Sequence, residues 1–326
     1  MHKDIYIISG VTGMTGSELA RQLLKESHKV IGFDNFFASS IDSIEDIIDH
    51  QNFCFYEYDL NNHAQMNEIQ NLVLESKANY KRTVYVNCAA VVHTEHFYEI
   101  ESTFLTNVIS MRSFLQQAID VKADIYINCS TSEVYSMQSW NEAGGVKEDD
   151  FLLLATAEHS QRTSYAVGKL LTEFFMKDAV DKGLIKGCSI RFANVYSNRE
   201  RFAKHIIPYV IDSLRKGDKI VLLENSKKNR RTFLHNIDSC RAVMELINSE
   251  ETLDGTVYNV ATDEEVTIIE LVNIVASLLG IDNPKIVFEG FRESDPERRL
   301  LNTDKISTRT NWKPIISLSD GLAMCL

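Results

Sequence analysis

The sequence is short of proline, with four in 326 residues, and of tryptophan, with two. It shows no repeat, no low-complexity tract and no linker, so nothing divides it into separately tethered modules. No stretch comes near the roughly 18 uninterrupted apolar residues of a membrane span, and Met1-His2-Lys3-Asp4 runs straight into an apolar, strand-like segment. A soluble, cytoplasmic protein is the expectation. Positive charge is also in deficit. Against 46 Asp and Glu stand 34 Lys and Arg, a net charge of −12, which argues against a general affinity for nucleic acid or anionic membrane. Any anionic ligand must then be caught by individual arginines and lysines. The six cysteines (Cys54, Cys88, Cys129, Cys188, Cys240 and Cys325) lack paired metal spacing, and several lie in apolar strand-like runs. They read as buried free thiols, and no metal site is expected.

What remains is an ordinary globular composition, 44% hydrophobic and 25% charged, enough for one large domain or two lobes. Short apolar runs near 5–9, 29–33, 53–57, 83–88, 124–129 and 187–192 alternate with helical patterns near 16–26, 64–76, 104–119 and 165–181. Such alternation implies right-handed βαβ units: an α/β fold of Rossmann type, with a doubly wound parallel sheet. Past about 194 the pattern loosens, with helices near 205–215, 236–248 and 267–279. A smaller, partly interleaved C-terminal substrate lobe is expected there. The expected division gives residues 1–193, plus roughly 230–262, to a cofactor domain, and 194–229 with 263–326 to the substrate lobe.

The first apolar run, Ile5-Tyr6-Ile7-Ile8, leads into Gly10-Val11-Thr12-Gly13-Met14-Thr15-Gly16 and then an amphipathic stretch. This is the strand, turn and helix that a dinucleotide cradle needs. Gly10 permits the tight turn, Gly13 the approach of a pyrophosphate, and Gly16 the packing of helix on strand; Met14 and Thr15 open a helix whose N–H groups face the anion. The second strand closes with Asp34, 18 residues beyond Gly16. A carboxylate there accepts ribose hydroxyls and repels a 2′-phosphate, so NAD is expected rather than NADP.

Farther on, Tyr165 and Lys169 stand four apart, on one face of a helix. A nearby ammonium favours the phenolate, and the expectation is a tyrosine lowered toward the range in which it removes a proton from an alcohol. After the strand near 124–129 comes Ser130-Thr131-Ser132-Glu133-Val134-Tyr135, at the carboxyl end where substrate and cofactor meet. Thr131 is read as a substrate-hydroxyl partner, Glu133 as a candidate general base, and Ser132 between them as part of the same catalytic segment.

These motifs, in this order over nearly the whole chain, resemble the extended short-chain dehydrogenase/reductase family, the nucleotide-sugar epimerases and dehydratases. The match includes Asp34-Asn35, Asp59-Leu60, Ala89-Ala90, Asn107, Arg191 to Tyr196, Arg231-Thr232-Phe233, Asp295-Pro296 with Arg299, and Trp312-Lys313-Pro314. The resemblance implies that Asn35, Asp59, Leu60, Ala89, Ala90 and Asn107 serve the cofactor. It implies that Asn194, Arg231 and Arg299 hold a nucleotide-diphosphate sugar, and that helices near 104–119 and 165–181 pair two copies into a homodimer.

Thr131-Ser132-Glu133 is similar to the triplets of sugar 4,6-dehydratases, and His93, three residues after Ala90, leans the same way as a substrate contact. An NAD-dependent 4,6-dehydratase is the leading expectation. The same triplet resembles UDP-glucuronate decarboxylases, and a 4-epimerase or a non-catalytic Rossmann binding protein stays open. Ser132 stands where many dehydratases carry an aspartic acid.

Overall fold

The computed structural model describes residues 3–91, 99–136, 144–160, 163–200, 202–292 and 295–326. In β1 (Ile5–Ser9) every side chain is buried. Tyr6 and Ile8 enter a core shared with α1 (Met14–Lys25) and α7 (Asn236–Asn248), while Ile5 and Ile7 point oppositely, into a core shared with α2 (His63–Ser76), α4 (Met111–Asp120) and α5 (Thr163–Asp181). Alternate residues of a strand face opposite ways, so a strand apolar on both faces belongs between two helical layers.

The sheet has seven strands, all parallel, and bears out the expected doubly wound α/β fold. On one side of β1 lie β2 (Lys29–Asp34) and β3 (Phe53–Glu57). On the other lie β4 (Thr83–Asn87), β5 (Ile125–Thr131), β6 (Lys186–Phe192) and β11 (Asp254–Val260). The chain leaves β1 in one direction and returns through β4 in the other, and this reversal opens a crevice at the carboxyl ends of the strands.

Three two-stranded pairings build the second layer of structure: β7 (Val195–Tyr196) with β10 (Leu234–His235), β8 (Ile220–Leu222) with β13 (Ile286–Phe288), and β9 (Arg230–Thr232) with β12 (Glu265–Thr267). A third core joins α6 (Ile206–Lys216), α8 (Ile268–Leu278) and α10 (Leu318–Met324) through Val210, Leu214, Leu271, Val275 and Leu322. The last part of the chain also reaches back to the sheet. Ile306 of α9 (Asp304–Thr310) and Trp312 belong to the same core as Tyr6 and Ile8. The Trp312 indole donates to the Asp238 carbonyl at 3.1 Å, and the wholly buried Asp238 carboxylate accepts the N–H groups of Ile315 and Ile316 at 2.9 and 2.8 Å.

The helix expected near 104–119 starts earlier, as α3 (Ile100–Phe104), and passes through a π-helical turn, Leu105–Ser110, into α4. The wider turn carries Asn107, whose side chain accepts from the Val91 N–H at 2.7 Å and donates to the Val91 carbonyl at 3.1 Å. Among the described residues no helix is long and apolar enough to cross a membrane.

Candidate active site

A cleft of ≈ 620 Å³ opens at the carboxyl ends of the strands, a size usual for small-molecule and cofactor sites. Its floor is the glycine turn. Gly10 has φ +68°, and a Cβ there would stand 2.6 Å from the Ala89 nitrogen, so the residue is fixed as glycine both by conformation and by the strand end beside it. A Cβ on Gly16 would lie 2.9 Å from the Val11 Cα, which is how α1 comes to rest on the end of β1. Gly13 caps α1 without a side chain, so the first-turn N–H groups at Met14 and Thr15 face the cleft as an anion site.

Asp34 ends β2 at the rim, accepting the N–H groups of Thr12 at 3.2 Å and Phe36 at 2.9 Å. It therefore steadies the glycine turn and keeps carboxylate surface toward the cleft. Asn35, Asp59, Leu60, Ala89 and Ala90 line the same cleft. Asn107 is not among the described lining residues; it acts one step back, by fixing Val91. His93 falls outside the described residues.

Farther along, the cleft brings together Thr131, Ser132, Glu133, Tyr165 and Lys169. Thr131 closes β5 and caps the 3₁₀ turn Ser132–Tyr135, its hydroxyl accepting the Glu133 N–H at 3.2 Å. Behind this segment stands a buried polar network. Ser130 donates to Glu173 at 2.5 Å, and Glu173 pairs with Arg191 at 2.7 Å. Arg191 in turn donates to the Tyr135 hydroxyl at 2.8 Å, and that hydroxyl donates to Asn259 at 2.7 Å. Breaking a buried pair of this kind costs about 3–5 kcal/mol, so β5, α5, β6 and β11 hold the Ser130–Tyr135 segment in place.

Tyr165 departs from the sequence expectation. Burial, and after it the Glu133 carboxylate, push its hydroxyl above the ordinary tyrosine range, with only a Thr131 hydrogen bond acting the other way. Lys169 does not offset this, because it is engaged elsewhere. Its Nζ donates to the Cys129 carbonyl at 2.9 Å, and burial lowers its own pKa.

Arg299, Asp295 and Arg231, each singled out in the sequence but not as partners of Glu133, form a charged cluster next to it. Arg299 Nη1 lies 2.5 Å from Glu133 Oε1, and its Nη2 lies 3.6 Å from Asp295. Arg231 donates to Asp295 at 2.9 Å. Burial works against the Arg299 charge, but Glu133 and then Asp295 outweigh it and hold that guanidinium above its ordinary value. Arg231 goes the other way, down to about 10, through burial and the neighbouring Arg299. Neither arginine is among the described residues lining the cleft, whereas Asn194 is, with its side chain donating to the Thr232 carbonyl at 3.0 Å.

One more contact bridges the mouth. Arg199, which lines the cleft, meets Asp46 with two bonds of 3.1 Å, and Arg21 grips the same carboxylate at 2.7 and 2.8 Å. Arg21 first, with help from Arg199, brings Asp46 down to about 2, so the strap stays ionised through the neutral range. Among the described residues no group of His, Cys, Asp and Glu could hold a metal ion.

Residues 6–261 of this chain match the NAD dependent epimerase/dehydratase family. The chain belongs to that family. It is 25% identical over 98% of its length to the low-salt glycan biosynthesis protein Agl12 of Haloferax volcanii, covering 96% of that protein. It is also 25% identical to UDP-glucuronic acid decarboxylase 1 of Danio rerio, over 97% of this chain and 70% of the other. Among solved structures, UDP-glucuronic acid 4-epimerase of Bacillus cereus, in complex with UDP-glucuronic acid and NAD, superimposes with a TM-score of 0.83 at 22% identity, covering 98% of this chain and 96% of that one. That last likeness is one of fold.

NAD is the cofactor of the family, and the residues here fit it. The turn is packed so closely on Ala89 and Val11 that Gly10 and Gly16 admit no side chain, which leaves bare backbone N–H groups at the start of α1, and Asp34 stands where a ribose rather than a 2′-phosphate is welcome. Asp34→Ala is expected to weaken NAD binding and to narrow the preference over NADP, as titration calorimetry of both dinucleotides would show. Wild-type protein binding NADP as tightly as NAD would refute this use of Asp34.

Proposed function

We propose that this chain acts on a nucleotide-diphosphate-linked uronic acid, oxidising C4 and then releasing carbon dioxide from C5. The observation that carries the reading is Arg299. Its guanidinium touches Glu133, two residues past Thr131, and its buried Nε has no hydrogen-bond partner among the described residues. Arg299 stands just behind the cleft lining, and a turn of its side chain away from Glu133 would bring its fork to a substrate carboxylate, which a guanidinium binds well.

Loss of water, which Thr131-Ser132-Glu133 resembles most, needs a base at C5 and an acid at C6. Here Glu133 is engaged by Arg299, and Ser132 offers only a hydroxyl. Loss of carbon dioxide needs neither. Once C4 is a ketone, the carboxylate on C5 lies β to it; the C5–C6 bond breaks with its electron pair passing into the carbonyl, the resulting enolate takes a proton at C5, and the C4 ketone is reduced again to the alcohol with the two electrons it gave up.

When bound, NAD supplies the reversible two-electron acceptor for C4. In this reading Gly10, Gly13, Met14 and Thr15 hold its pyrophosphate, Asp34 and Asn35 its ribose, and Asp59 and Leu60 its adenine, with Ala89 and Ala90 against it. Tyr165 takes the C4 hydroxyl proton, and Thr131, hydrogen-bonded to Tyr165, orients that hydroxyl. Asn194, in the cleft lining, faces the substrate diphosphate, and Arg231 stands behind the lining and adds positive charge.

The test is product mass. Incubation with UDP-glucuronic acid, UDP-glucose and dTDP-glucose is expected to give loss of carbon dioxide from the uronic acid alone. Loss of water from a hexose would restore the dehydratase reading. Unchanged mass with a new C4 configuration would make the chain an epimerase, and no conversion of any substrate a binding protein.

A homodimer completes the proposal. Ile100, Phe104, Leu105 and Ile109 on one helix, with Val167, Leu171 and Phe174 on α5 beside it, form an exposed apolar face, Phe174 being 64% exposed. Surfaces of this kind mark interaction sites, and self-pairing of one patch is the commonest closed symmetry. Light scattering at micromolar concentration is expected to give twice the chain mass; a monomer would reject the dimer.

A further inference from the structure

We propose that Cys88 and Cys129 form a redox-active dithiol under the cofactor cleft, which closes to a disulfide with hydrogen peroxide and thereby weakens NAD binding. The parallel strands β4 and β5 pair in register as far as Asn87 with Asn128, so the next residues, Cys88 and Cys129, stand side by side. Their side chains join the core that also holds Tyr6 and Ile8, and the sulfurs are 3.8 Å apart. Neighbouring strands run about 4.8 Å apart, within the roughly 4.4–6.8 Å between Cα atoms that a disulfide spans. Both residues line the cleft and are partly buried, whereas Cys188 and Cys240 are fully buried.

The two thiols are not equivalent. The Cys88 thiol bonded to Cys129, and then the Lys169 ammonium, favour the thiolate at Cys129, while the same contact and burial raise Cys88. Cys129 is therefore the nucleophile. Its thiolate attacks one peroxide oxygen, the O–O bond breaks, and the departing hydroxide takes a proton to become water. The resulting sulfenic acid is attacked by the Cys88 sulfur; the S–S bond forms and the second oxygen leaves as water. Two thiols have then lost two electrons and two protons, and one peroxide has become two waters.

Closing the gap to the roughly 2.05 Å of an S–S bond draws the two strand ends together at a point without slack. A Cβ on Gly10 would already lie 2.9 Å from the Cys88 carbonyl carbon, and Lys169 is held by the Cys129 carbonyl at 2.9 Å. The displacement must pass into the glycine turn or into Lys169, and both line the cleft that takes NAD.

The experiment treats the purified full-length protein with hydrogen peroxide, blocks remaining thiols with iodoacetamide, and maps disulfide-linked peptides by mass spectrometry. NAD affinity is measured by calorimetry before, after, and after dithiothreitol. The expected result is a linked pair containing Cys88 and Cys129, an NAD affinity at least about tenfold weaker, and recovery on reduction. In Cys88→Ser the linked pair should vanish and the reversible loss of affinity with it. Alkylation of both cysteines after peroxide, or a mapped disulfide with unchanged NAD affinity, would overturn the proposal. Neither readout depends on which sugar the enzyme uses, and the wild-type map stands even if the variant does not fold.

Discussion

Tyr165→Phe is expected to reduce turnover by about 10²–10⁴-fold, the usual worth of a positioned acid or base, with NAD affinity nearly unchanged. The substitution keeps the ring that packs in α5, 5% exposed, and deletes only the oxygen that Thr131 contacts. The pH profile gives the signature. Burial and Glu133 hold the hydroxyl above its ordinary pKa, so it keeps its proton through the neutral range and wild-type turnover should climb as pH rises. A group entering the cleft with positive charge would bring that pKa down and shift the climb to lower pH. The Phe variant should be slow and flat across the same range. Retention of more than about a tenth of wild-type turnover would remove Tyr165 from the chemistry.

The second large effect is at Arg299. Arg299→Met deletes a charge from a buried, hydrogen-bonded pair, which costs about 2–5 kcal/mol, and kcat/KM for a nucleotide-linked uronic acid should fall by about 10²–10³-fold. Arg299→Lys should recover only part, because an ammonium keeps the charge and loses the fork. Thermal unfolding of each variant separates collapse of the cluster from loss of a substrate contact.

Glu133→Gln approaches the same pair from the other side. If carbon dioxide is lost, this variant should stay within about tenfold of wild type, since no base acts at C5; if water is lost, it should fall by about 10²–10⁴-fold and cease exchanging the C5 hydrogen with solvent deuterium. A deeper defect in Glu133→Gln than in Arg299→Met would therefore reject the decarboxylation reading.

The scaffold of this chain was legible because its strands are apolar on both faces. The run Ile5-Tyr6-Ile7-Ile8 can only be a strand between two helical layers, and the turn Gly10 to Gly16 fits only the end of such a strand. β11 was harder to see: Asp254–Val260 mixes Asp, Gly and Asn with its apolar residues, and its place beside β6 is set by tertiary contacts. The π turn at Leu105–Ser110 leaves no mark that separates it from an ordinary helix.

Site residues followed the same division. Tyr165, Lys169, Thr131 and Glu133 could be found by spacing, because each pair sits on one local element. The direction of the Tyr165 shift could not, since it depends on how deeply the hydroxyl is buried and on Glu133 coming beside it from another element. Contacts between distant segments carry no local signal at all. Glu133 with Arg299, Asp46 with Arg199 and Cys88 with Cys129 come together only through the register of the sheet and the return of the second half over it.

The place of Trp312 also bears on how the molecule is made. A ribosome releases this chain from the N-terminus, and domains in general fold as they emerge. Here the layer behind β1 receives Ile306 and Trp312 only after all seven strands of the sheet have been synthesised. Until then a space the size of an indole stands open in it, and Asp238 waits for the N–H groups of Ile315 and Ile316. The core behind β1 therefore cannot be completed by the sheet and its own helices alone; it needs the segment from Ile306 to Ile316 in place.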